Sequence, residues 1–187
     1  MTAFPIGQWD VALIDPPWQY YGAKDKWTAA EKFYPTIPAE QIAEFPVASI
    51  IRGNGVVFVW ATSPLLDVAI ETMRVWGFHY RGVAFVWVKT RTDGTPIGAQ
   101  GIRPSIVKPT AEFVIAGSRA RRGRPLPISD ESVRNVILSP KREHSRKPDA
   151  IYDSIESLYP NAKRIELFAR TKRAGWDSWG NETGKFQ

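Results

Sequence analysis

The chain contains no cysteine, so neither a disulfide nor a thiolate metal site is open to it. Histidine is almost as scarce: His79 and His144 are the only two, and neither stands at ligand spacing from a carboxylate cluster. No metal is expected. Long apolar runs are also missing, since no stretch approaches the ~18 residues that a membrane span needs. Residues Met1 to Ile14 lack the charged stretch and apolar core of a signal peptide. The expectation is a cytoplasmic protein without a membrane partner. Repeats and a domain-scale linker are absent too, which leaves 187 residues to build a single domain, 1–187. A chain of that size can bury roughly 70% of its unfolded surface. Acids are in the minority, 19 Asp and Glu against 25 Lys and Arg, for a net charge of +6. That balance favours partners carrying phosphates.

What the chain has in excess is tryptophan, with eight, and proline, with fifteen, which suggests stacking surfaces and many rigid turns. Short β-branched runs alternate with helical patterns, as in α/β domains. The strand candidates are Asp10 to Ile14, Gly55 to Trp60, Gly82 to Val88, Glu112 to Gly117, Asn135 to Ser139 and Lys163 to Ala169. Their near-continuous apolar character predicts a mostly parallel sheet covered on both faces. A helix is expected from Ser63, as N-cap, with Pro64 in its first position and Gly77 closing it. A second has Pro148 and Asp149 in its first turn and Ile151, Ile155 and Leu158 along one apolar face. A third, shorter helix spans Pro38 to Phe45. Three long loops remain, Gln19 to Ile37, Lys89 to Thr110 and Ser118 to Ser132, and they carry most of the unusual aromatic and basic residues.

The stretch LIDPPWQYYG, Leu13 to Gly22, concentrates the chemistry. Asp15 lies just past the carboxyl end of a buried strand, where open α/β sheets hold their ligands. Pro16 and Pro17 stop the strand and stiffen the turn, so that the carboxylate and the following carbonyls are held in fixed positions. Trp18 would add a flat face. An acceptor carboxylate, a backbone carbonyl and an aromatic plane suit a flipped-out adenine, whose amino group donates two hydrogen bonds. The amino nitrogen is a weak nucleophile because its lone pair is delocalised into the ring. Fixed acceptors for its N–H groups favour a more tetrahedral nitrogen as charge develops. For Asp-Pro-Pro alone, a plain strand end would be the better reading; the preceding buried strand and the following Trp tilt it toward a site.

DPPW after an apolar strand, together with KPDAIYDSIESLYPNAKRIELFARTKRAGWDSWGNE near the carboxyl end, resembles the MT-A70-like family of S-adenosylmethionine-dependent adenine-N6 methyltransferases, in the form of its small bacterial and phage-type members. The resemblance is strong over residues 9–36 and 142–182. It implies a Rossmann-like methyltransferase fold with a permuted motif order, the catalytic strand first and the cofactor strand last, which would explain why no glycine-rich loop follows the first strand. It also implies methylation of the 6-amino group of adenine in nucleic acid, with DNA ahead of RNA, in a bacterial or phage-infected cell.

By the same resemblance, Asp15, Pro16, Pro17 and Trp18 are the catalytic motif, with Asp15 also facing the cofactor, S-adenosyl-L-methionine. Lys147 would approach the carboxylate of the cofactor's methionine part. Phe168 and Arg170 would flank its adenosine and ribose, and Asn181 and Glu182 would hydrogen-bond the ribose or adenine edge. Trp18, Tyr20, Tyr34, Thr36, Arg103, Ser105 and Lys108 are the expected substrate contacts, with Glu112 ordering their loop. Basic residues of that loop, through the RARRGR run Arg119 to Arg124, would contact phosphates beside the flipped base. A homo- or heterodimer is left open. The rival readings are an RNA methyltransferase, a catalytically silent nucleic-acid-binding or partner subunit of the same fold, and a small-molecule methyltransferase. Asp15 and Trp18 argue against the second, and the net charge against the third.

Overall fold

Alternating apolar residues of the first strand, Val11 and Leu13 on one side and Ala12 and Ile14 on the other, are all fully buried, so this strand must have a covered face on both sides. The computed structural model, which describes residues 3–19, 35–98, 107–143 and 146–185, supplies both. Seven strands form one sheet: β1 (Trp9–Ile14), β2 (Ile51–Thr62), β3 (His79–Thr90), β4 (Ala111–Ser118), β5 (Val136–Pro140), β6 (Arg164–Leu167) and β7 (Trp176–Trp179). Their spatial order is β5-β3-β4-β2-β1-β6-β7. β1 pairs in parallel with β2 and β6, β6 with β7, and β3 with β5, whereas β4 is antiparallel to both β2 and β3. Six strands therefore run one way and β4 the other. This is a mixed, mostly parallel sheet of the Rossmann-like methyltransferase kind.

Among the described residues four α-helices accompany it: α1 (Ala39–Ala43), α2 (Val47–Ile50), α3 (Leu66–Val75) and α4 (Asp149–Leu158). On one face Ala12, Ile14, Val57, Val59, Ile165 and Leu167 pack with Ile42 of α1, Val47 of α2 and Ala69 and Met73 of α3. On the other, Val11, Leu13, Phe58 and Trp60 pack with Ile151, Tyr152 and Ile155 of α4. None of the described helices is long and apolar enough to cross a membrane.

Two helix starts differ from expectation. Ser63 does not cap α3; residues Ser63–Leu65 form a tight 3-10 turn carrying Pro64, and no side chain caps it. Pro64 lacks the N–H that a regular first turn leaves to be capped, and its fixed φ suits the tighter turn instead. The far end of α3 is as expected. Gly77, at φ +83°, donates to Arg74 O at 2.8 Å, and Phe78 to Met73 O at 3.0 Å, the paired closure that a left-handed residue after a helix allows. For α4, Pro148 sits one position earlier than expected, as the extended N-cap, and Asp149 opens the helix.

The strand directions decide where chemistry can gather. The carboxyl ends of β1, β2, β3, β5, β6 and β7 and the amino end of β4 share one edge of the sheet, which places Asp15, Lys89, Glu112, Lys147, Arg170 and Glu182 at that edge. The opposite edge receives the carboxyl end of β4, and with it Arg119 to Arg124.

Candidate active site

Asp15 leaves β1 with its backbone N–H donating to Leu167 O at 3.2 Å, so the turn starts anchored to the neighbouring strand β6. Trp18 N–H then donates to Pro16 O at 2.8 Å, and Ile37 N–H to Pro17 O, also at 2.8 Å. Each of those carbonyls keeps a second lone pair for a ligand. The pairing with Ile37 brings Thr36 beside the turn. The expectation for the Trp18 ring is corrected. Its indole is only 6% exposed and its Nε1–H donates to Trp60 O at 3.0 Å. The faces are packed into the helix-side core, so Trp18 locks the turn onto β2 instead of offering an open plane.

Beside the turn lies a chain of four charges. Lys147 Nζ stands 3.2 Å from Asp15 Oδ1 and 2.9 Å from Glu112 Oε2, and the other oxygen of Glu112 takes the ammonium of Lys89. Lys147 also lies 4.5 Å from the centroid of the Trp60 ring, and Lys89 lies 5.0 Å from that of Trp87. The side chains of Asp15, Lys147 and Glu112 are 13 to 15% exposed, enclosed but reachable. Burial pushes the Glu112 carboxyl up, and the two lysines more than reverse it, leaving it at about 2. Burial pulls the Lys147 ammonium down, and Asp15 with Glu112 more than restores it, so its pKa is raised. Both groups therefore stay charged at neutral pH. Lys147 was expected to meet a cofactor carboxylate; here its ammonium serves Asp15 and Glu112 and lies against the Trp60 ring.

Behind Asp15, on β6, Glu166 is buried and accepts the Tyr152 O–H at 2.8 Å. Burial, aided by the negative charge of Asp15, raises its carboxyl to about 8, against the pull of the Tyr152 hydrogen bond. Burial and Glu166 in turn hold the Tyr152 hydroxyl well above its ordinary value. An uncharged acid thus backs the charged one.

At the next two strand ends the backbone turns sharply. Phe168 adopts φ +61°, a left-handed conformation that non-glycine residues seldom take. Gly180, just past β7, passes so close that a Cβ there would sit 2.5 Å from Ala169 O. Ala169 N–H donates to Trp179 O at 2.9 Å across this contact, and Trp179 Nε1–H reaches Ala3 O at 2.9 Å. The Phe168 ring does not face the crevice as expected: it is 9% exposed and packs edge-on to Phe45 and Trp179, at 5.4 and 5.3 Å between centroids. Arg170 and Glu182 stand 3.7 Å apart, joining the two turns, and Asn181 is exposed between them.

Lys108 is exposed, with its stem against Gly98, and does not join the Asp15 group. Tyr20, Tyr34, Arg103 and Ser105 lie outside the described residues. The reversed direction of β4 overturns the expectation for Arg119 to Arg124, which sit at the far edge of the sheet, away from Asp15. Sequence reasoning missed Lys89, Tyr152 and Glu166 as parts of the site. A carboxylate inside the otherwise buried pattern RIELFA was the available signal for Glu166.

The MT-A70 family model matches residues 9–182. The chain is 31% identical to the type II methyltransferase M.MunI of Mycoplasma sp, over 95% of this chain and 79% of that protein. It is 30% identical to a probable N(6)-adenosine-methyltransferase MT-A70-like protein of Oryza sativa subsp. japonica and 27% identical to the human N(6)-adenosine-methyltransferase catalytic subunit METTL3, again over 95% of this chain. It spans only 23% and 28% of those two proteins' lengths. The chain belongs to the MT-A70 family of methyltransferases.

Proposed function

We propose that this single domain transfers a methyl group from S-adenosyl-L-methionine to the 6-amino group of adenine in nucleic acid, DNA ahead of RNA, in the cytoplasm. The observation that carries this reading is the Asp15 carboxylate, fixed at the sheet edge by two prolines and steadied by Lys147 at 3.2 Å. An ionised carboxylate only accepts hydrogen bonds, so it takes one N–H of the target amino group, and the free lone pair of Pro16 O or Pro17 O takes the other. As the new N–C bond forms, the nitrogen becomes tetrahedral and positive. Its acceptors are already in place, and its surplus proton leaves along the hydrogen bond to Asp15 and on to solvent. Thr36, beside the turn, lies within reach of the same base.

The residues present fit the cofactor. Backbone bends at Phe168 and Gly180 bring two strand ends together, and Arg170, Asn181 and Glu182 beside them are polar groups suited to ribose and purine. The Lys147 ammonium at the same edge is a cation suited to a carboxylate. S-adenosylmethionine, when bound, would supply an electrophilic methyl group on a sulfonium, its C–S bond breaking to leave a neutral thioether as the N–C bond forms. Glu112 and Lys89 hold Lys147, and through it Asp15, in place.

The preference for DNA is supported by M.MunI, a type II methyltransferase most of whose length this chain spans. Incubation with labelled S-adenosylmethionine and matched DNA and RNA oligonucleotides, followed by nucleoside mass analysis, tests the reading. N6-methyldeoxyadenosine is the expected product. N6-methyladenosine alone would move the substrate to RNA, and transfer to neither would end the proposal.

A further inference from the structure

The sheet edge opposite Asp15 carries a concentration of arginine that the reaction does not use. Arg121, Arg122 and Arg134 are exposed and, like Arg81, have no carboxylate partner among the described residues, whereas Arg124 pairs with Glu131 at 2.6 Å. The loop that bears them is organised. Arg81 on β3 donates to Ala120 O at 2.9 Å and to Gly123 O, and Arg119 donates to Ile51 O at 3.1 Å. Gly123 turns the chain at φ +74°.

Under this loop is a cavity of about 300 Å³. Phe58, Phe85, Leu126 and Tyr159 wall it, and Arg81 and Arg124 stand at its lining beside the loop. Aromatic walls with guanidinium groups alongside suit a base with its phosphate: the ring enters the apolar hollow, and the charge stays with the arginines. A small acidic ligand would need only one cation, but here the unpaired arginines continue outward from the cavity over the surface. That continuation fits a chain of phosphates.

We infer that this far edge is a second contact for the nucleic-acid strand, in which the cavity seats one unstacked nucleotide and Arg121 and Arg122 hold the phosphates next to it. Val56 to Thr62 separate the two edges along β2, roughly 20 Å at the ordinary rise of a strand. A strand must therefore extend several nucleotides from the methylated adenine to reach it, and very short substrates miss it. The inference rests on the proposed action on nucleic acid.

The test pairs Arg121→Ala/Arg122→Ala with Ala84→Phe, which fills the cavity from β3. Binding of single-stranded oligonucleotides of increasing length is followed by fluorescence anisotropy against salt concentration, alongside cofactor affinity by calorimetry and thermal melting. For long oligonucleotides, the double variant should lower the slope of log K against log salt by about 1.4, from 0.7 per phosphate contact. Its KM for long substrates should rise several-fold, and that for the shortest should stay unchanged. Ala84→Phe should weaken binding of long oligonucleotides without changing the slope. An unaltered slope and KM in the double variant would overturn the phosphate contacts. Unaltered affinity in a normally melting Ala84→Phe protein would overturn the seated nucleotide. Either result would leave methyl transfer by the natural chain intact, which separates failure here from failure of the proposed reaction.

Discussion

Replacing Glu166 by Gln should remove a loss of stability that the natural chain suffers as pH rises. In the unfolded chain this carboxyl titrates near 4.5, whereas burial and the charge on Asp15 raise it to about 8 in the fold. The folded state therefore holds the proton more tightly. Its contribution is fully present below about pH 4.5 and is lost progressively as pH climbs through 8. That interval, at roughly 1.4 kcal/mol per pH unit, sets a ceiling on the order of 5 kcal/mol. Gln keeps the shape and still accepts the Tyr152 O–H, but it cannot ionise. Urea unfolding of both proteins, followed by tryptophan fluorescence from pH 5 to pH 9, reads the difference directly. The Gln protein should gain on the natural chain steadily up to pH 8 and then level off. A gap that stays constant over the whole range would refute the claim that Glu166 is protonated in the fold. With Glu166 neutral at pH 7, the charges around Asp15 are its own and that of Glu112 against those of Lys147 and Lys89.

Three further substitutions test the remaining parts of the site. Asp15→Ala should abolish methyl transfer while cofactor affinity, measured by calorimetry, stays close to that of the natural chain; full activity would contradict the acceptor role. Lys147→Met leaves two carboxylates facing each other without their shared cation, at a cost of about 3–5 kcal/mol in unfolding free energy. It should also weaken cofactor binding and move the Glu112 carboxyl up from about 2, detectable by carboxyl-resolved NMR titration. Gly180→Ala drives a Cβ to 2.5 Å from Ala169 O, so the two turns must separate. About 1–3 kcal/mol of stability should be lost together with cofactor affinity, and a protein that melts and binds normally would remove this contact from the account.

Six of the strands were legible because each carries a short apolar, β-branched run, although β5, at the edge of the sheet, leaves Val136 and Leu138 exposed and is not covered on both faces. The seventh was not. Trp176 to Trp179 contains Asp and Ser within four residues, and it is a strand only because β6 lies alongside. Asp15 could be placed at an edge because two prolines end the strand that carries it. Its ion partners could not, since Glu112 and Lys147 are 35 positions apart and meet only because β4 runs backwards. Direction leaves no mark on the composition of an isolated strand, and so Arg119 to Arg124 were assigned to the wrong end. Trp18 was misjudged for a related reason. An aromatic residue after a turn is expected to be open, and its burial depends on a carbonyl 42 positions away, that of Trp60.

The hydrogen bond from Trp179 to Ala3 O places the beginning of the first strand's approach and the end of the last strand in contact. A chain joined across that point and opened instead in the exposed Arg119 to Arg124 loop would keep every strand pairing, with β6 and β7 now preceding β1. Whether the acid that meets the substrate or the strand that borders the cofactor comes first is thus a matter of where the ribbon is cut. The architecture is indifferent to it, and two sequences with opposite motif order can share one active site.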